Sequence, residues 1–124
     1  MAWTVDGAAA SAPLASTQAF GTSLIISGLS GNTTNGTSVQ LIVPTQTGTF
    51  AVGGSGTTAA TAVYAILNGD SYRGTTGSVV VTTYTPSTTA GASVLVGTFS
   101  FTGATSATPP TTKTITNGTF NVKY

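Results

Sequence analysis

Cysteine, histidine and glutamate are absent from this chain. Without cysteine there is neither a disulfide framework nor thiol chemistry. Without imidazole or thiolate, the usual nucleophile–base pairs lack their base, and transition-metal sites lack their ligands. The two carboxylates are Asp6 and Asp70, and each lies in a Gly- or Asn-containing turn where a structural role suffices. Paired-carboxylate catalysis finds no second signal here. A calcium site built from Asp70, Asn68 and carbonyls falls short of the carboxylates that oxygen sites recruit. The reading is a non-enzymatic protein with no cofactor and no metal.

Charge is the next scarcity. Three Lys and Arg face two Asp, leaving a net charge of +1 and only 4% charged residues, where an average soluble domain carries about 25%. A nucleic-acid binder needs a basic stripe, and three dispersed cations do not form one. The same count excludes steering toward anionic lipid. No run approaches the ~20 apolar residues of a membrane span. Nor does the start of the chain show the basic and apolar regions of a signal peptide. Mean hydropathy is nonetheless +0.31. Low charge on an apolar chain lowers the barrier to association.

What the chain does contain is strand and turn material. Thr and Ser make up roughly a third of its 124 residues, with 16 Gly; Thr favours pleated strands and Gly favours turns. No stretch has the length and 3.6-residue spacing of an amphipathic helix. The clearest strands are Val94–Phe101 and Thr119–Tyr124, which alternate strictly and are expected to pair antiparallel. Thr22–Gly28 and Thr37–Val43 flank a polar loop and read as a hairpin, and Asn68-Gly69-Asp70 reads as a tight hairpin turn. Gly-Thr-Phe recurs at Gly48, Gly97 and Gly118 without a fixed period, a device reused at strand starts.

Alternation places Trp3, Leu24, Ile26, Val39, Leu41, Phe50, Tyr64, Ile66, Val79, Val81, Leu95, Phe99, Phe101, Phe120 and Val122 in the core. About eight short strands with turns between them imply one all-β domain over residues 1–124, an antiparallel β-sandwich or flattened β-barrel. Residues 1–19 read as an extended N-terminal segment or edge strand, because Pro13 demotes its run to an edge.

The order of Trp3-Thr-Val-Asp-Gly7, Leu24-Ile-Ile-Ser-Gly28, Gly48-Thr-Phe50, Gly77-Ser-Val-Val-Val-Thr82, Gly97-Thr-Phe-Ser-Phe101 and Ile115-Thr-Asn-Gly-Thr-Phe-Asn-Val122 resembles a family of small, functionally uncharacterised β-domains. These occur in bacterial lipoproteins of the outer membrane or cell surface. The resemblance spans nearly the whole chain, through strand-and-turn patterns that speak to fold and not to chemistry. It implies an extracellular or cell-surface location. Family members usually follow a lipoprotein signal with an acylated cysteine; this chain has neither, and a virion component is the alternative.

Two functions are open at this level. The first is a self-associating structural subunit of an extracellular array, filament or virus particle, whose partners are copies of itself. Ala8, Pro13, Leu14 and Phe20 are its candidate assembly residues, on a segment apolar enough to add a strand to a neighbour's sheet. The alternative is a monomeric surface domain that binds glycans by stacking sugars on exposed aromatics, with Trp3, Tyr72 and Arg73 as candidates. The ordinary role of such aromatics is core packing. A short ladder, Thr112, Thr114 and Thr116, reads as the wet face of a strand. Asn32, Asn35 and Asn117 each begin a glycosylation acceptor pattern of the kind a Thr-rich chain produces by chance.

Overall fold

The structure is a computed structural model that describes residues 1–32 and 36–124. The described residues form no helix. They form ten strands: β1 (Ala2–Val5), β2 (Ala8–Ser11), β3 (Ala15–Phe20), β4 (Ser23–Ser30), β5 (Thr37–Pro44), β6 (Gly48–Val52), β7 (Ala59–Ile66), β8 (Ser71–Thr85), β9 (Val94–Ala104) and β10 (Thr112–Lys123). All belong to one sheet in the order β2-β1-β10-β9-β8-β6-β7-β5-β4-β3. The sheet is mixed, because β6 runs parallel to β7 while the other pairings are antiparallel. It is not closed: β2 and β3 end the order and do not pair with each other.

Period-two patterning decides which side of each strand is dry. In β4, Leu24 and Ile26 are buried while Ser23, Ile25 and Ser27, which alternate with them, are only partly covered. In β5, Val39, Leu41 and Val43 repeat the phase opposite them. β9 and β10 pair antiparallel along nearly their whole length, from Thr112 opposite Ala104 to Lys123 opposite Val94. Fully burying one Val, Leu, Ile or Phe gains about 1.5–3 kcal/mol, and these side chains form one cluster with Trp3, Tyr64 and Tyr72. Of the expected core, every residue is buried except Ile66, which packs partly exposed against the cluster. Ala12, Val43, Val52, Ala60, Ala62, Tyr72 and Ile115 join it.

Several expectations are corrected. Among the described residues the strands number ten rather than about eight. They are also not uniformly short, since β8 runs for 15 residues, β9 for 11 and β10 for 12. Residues 1–19 are not one edge strand: they hold β1, β2 and most of β3, with Ala12, Pro13 and Leu14 between β2 and β3, and these last two strands occupy opposite ends of the sheet. Pro13 breaks the run because it has no N–H and a fixed φ. Just before it, Ala12 still extends the β1–β2 ladder: its N–H donates to the Met1 carbonyl at 2.8 Å, and the Met1 amino group donates to the Ala12 carbonyl at 3.1 Å.

Candidate interaction surface

The sheet presents two different outer surfaces. Across β8, β9 and β10, several outward positions pair hydroxyl with hydroxyl. Thr76 lies opposite Thr102 and Ser78 opposite Ser100, while Thr102 faces Thr114 and Thr98 faces Thr119. Across β4 and β5 the outward positions are more apolar, with Ile25 directly opposite Ile42. β3 borders that second surface. Its register with β4 sets Ala15, Thr17 and Ala19 opposite Gly28, Ile26 and Leu24, so those three take the inner side. Ser16, Gln18 and Phe20 therefore point out.

Among the described residues, the exposed large hydrophobics are Leu14 at 86%, Phe20 at 63% and Leu29 at 40%. Leu14 and Phe20 bracket β3. Ala8 and Pro13 are exposed as well, so all four candidate assembly residues reach solvent. The N-terminal segment is nonetheless no detachable arm. Trp3 and Ala12 are both 2% exposed and belong to the core, and β1 pairs with β10.

The residues named for sugar stacking do not form a platform. Trp3 is buried, with an indole Nε1 that has no hydrogen-bond partner. Tyr72 is buried too, opposite Tyr64, with ring centroids 5.9 Å apart; its hydroxyl donates to Asp70 Oδ2 at 3.5 Å. Only Arg73 of the three is exposed. It lines a shallow depression of about 480 Å³ with Gly53, Thr61, Thr75 and Thr105, where it is the charged group. Tyr72 faces inward because the β8–β9 register shifts between Gly74 and Thr76, which reverses the phase set by Val79 and Val81.

Asp6 and Asp70 serve the backbone. Asp6 Oδ1 accepts from the Thr114 N–H at 3.0 Å, and Oδ2 accepts from Lys113 Nζ at 2.8 Å. The Lys113 hydrogen bond, then that from Thr114, holds the Asp6 carboxyl below the usual carboxylate range, and Asp6 in turn raises Lys113. Burial, then a hydrogen bond with Tyr84, raises the Tyr124 hydroxyl. The Asp70 carbonyl accepts from the Ile66 N–H at 2.9 Å and closes the β7–β8 turn. Among the described residues no three of His, Cys, Asp and Glu cluster as a metal would need, and no helix is long and apolar enough to cross a membrane. Asn32 is exposed, Asn117 is exposed at a bulge with φ 51°, and Asn35 lies outside the described residues.

No known protein family, curated protein or solved structure matches the chain.

Proposed function

We propose that this chain is a non-enzymatic structural protein: a subunit that associates with copies of itself in an array, filament or virus particle outside the cell. The observation that carries the reading is the open end strand β3. It contains no charged residue and is bracketed by exposed Leu14 and Phe20, in a chain only 4% charged. Soluble monomers normally protect such an edge with Lys, Pro or a bulge, and keep a net charge away from zero. An enzymatic role finds no support in a chain without His, Cys or Glu. The glycan-binding alternative loses its main argument with the burial of Trp3 and Tyr72.

The same proposal includes a shape. Three residues join β2 to β3 although these end the sheet on opposite sides, and a chain advances at most ~3.6 Å per residue. Gly28 of β4 lies against Met1 and Ala12. Both points support a sheet folded over itself as a sandwich or flattened barrel, with its seam unpaired. Light scattering and native mass spectrometry across a dilution series test the function. A mass that rises with concentration is expected. A single monomeric mass up to millimolar concentration overturns the proposal.

A further inference from the structure

We infer that β3 is a two-fold joint: it pairs antiparallel with β3 of a second copy, with Thr17 on the symmetry axis. This rests on the self-association reading above and adds the partner, the strand and the register.

The joint begins with unused backbone groups. β3 is hydrogen-bonded on one side only, to β4. That pairing runs from Ala15 to Phe20 residue for residue, with no bulge. Nothing in β3 therefore twists its free edge away, and none of its six residues is charged or proline. A free, regular edge is a template for another strand. The other end strand, β2, is shorter at four residues.

The side chains then select the partner. In an antiparallel pair, directly opposite residues lie on the same face. An axis through Thr17 sets Ser16 opposite the partner's Gln18 and Ala15 opposite the partner's Ala19. One step beyond the strand it sets Leu14 opposite the partner's Phe20, and the symmetry repeats that contact at the other end. The two most exposed large hydrophobics among the described residues are thus covered by each other, twice, in a single operation. Moving the axis by one residue destroys this match. Through Gln18, Phe20 meets the partner's Ser16 and Leu14 meets the partner's Thr22; through Ser16, Leu14 meets the partner's Gln18. Self-complementarity in one register marks an isologous contact between identical chains. Such a contact closes on itself, so β3 produces a dimer, and larger assemblies need a second surface. One strand pair is a small interface, so the dimer forms weakly and only at raised concentration.

Because the chain has no cysteine, single cysteines report the register. Under mild oxidation, Ser16→Cys mixed with Gln18→Cys should give a covalent mixed dimer, and Thr17→Cys should crosslink to itself. Gln18→Cys alone should stay uncrosslinked; efficient crosslinking of that variant alone would overturn the register. In a second arm, Ser16→Lys/Gln18→Lys and Ser16→Glu/Gln18→Glu should each dimerise roughly tenfold or more weakly than wild type, and an equimolar mixture should regain dimers through opposite-charge pairs. Emission from Trp3 verifies that each variant is folded. Self-association that persists unchanged in both like-charge variants overturns this joint and leaves the self-association reading standing. A wild type that never associates overturns both. A β3 that accepts strands of unrelated peptides as readily as its own copy overturns the choice of partner.

Discussion

Phe99 lies directly across from Gly118, and two positions along the same pair of strands the arrangement is reversed, with Phe120 across from Gly97. Each ring occupies the space that a Cβ on the facing glycine would need. The rings then stack on each other, with centroids 6.4 Å apart and planes 25° apart. Two of the three Gly-Thr-Phe segments are thus interlocked, glycine to ring and ring to glycine. In the third, Phe50 lies opposite Val79, which itself faces Phe99. At Gly97 and Gly118 the recurrence visible in the sequence is a packing device, and glycine is required there because nothing larger leaves room for the ring.

Gly118→Ala should therefore destabilise the protein by about 1–3 kcal/mol through overpacking, and Phe99→Ala by about 3–5 kcal/mol through loss of a buried ring. The double variant should cost clearly less than the sum, since the added methyl enters the space the ring vacates. Urea titrations of the four proteins check this; strict additivity would show that the two residues do not share that space.

Trp3→Ala should cost about 3–5 kcal/mol, although the residue lies in the third position of the chain. Wild-type emission should be blue-shifted and shift red on unfolding, because Trp3 is the chain's one tryptophan and is 2% exposed. Added oligosaccharide should leave the emission unchanged.

Stability should be flat between about pH 5 and pH 7, because no group of the chain has an ordinary pKa in that interval. Outside it the Asp6–Lys113 pair acts. The Asp6 carboxyl is lowered, first by Lys113 and then by the Thr114 N–H. Its contribution is complete above the ordinary carboxylate range and disappears as pH falls through the lowered native value. Lys113 is raised by Asp6; its contribution is complete below the ordinary lysine range and disappears as pH rises through the raised value. Urea midpoints against pH should show both limbs, with Asp6→Asn making the acid limb shallower. Both groups are solvent-exposed, so added salt should weaken the effect.

Ser93→Ala should loosen the β8–β9 connection. The buried Ser93 hydroxyl accepts from the Ser87 N–H at 3.0 Å and donates to the Ser87 carbonyl at 3.3 Å. Its loss should cost about 1–3 kcal/mol. Amide exchange at residues 87–92 should accelerate while that of β9 stays slow.

Where strands alternate without interruption, their faces are legible in the sequence. Leu24 and Ile26, Val39 and Leu41, and Phe120 and Val122 all point as period two requires. The hairpin between β4 and β5, the β9–β10 pair and the Asn68-Gly69 turn follow from local signals. Tyr72 was not legible: a register shift between Gly74 and Thr76 turns it inward, and no residue type announces that extra half-step. The separation of β2 from β3 was equally hidden. Pro13 signals a break but not that the chain then crosses to the other end of the sheet, a choice made by long-range pairing. Of the candidate surface, Leu14 and Phe20 were legible as apolar residues of the N-terminal segment, whereas the outward face of Phe20 needs the β3–β4 register.

The neighbours of β1 are β2 and β10. During synthesis β1 and Trp3 are made before β10, the strand that anchors them, which follows the other nine strands in the chain. The β1–β2 hairpin must wait without its β10 partner while the middle of the sheet assembles. Contacts this distant along a chain slow folding, because the intervening loop must close first. Until β10 arrives, the apolar N-terminal residues remain available to any chaperone or neighbouring chain that meets them.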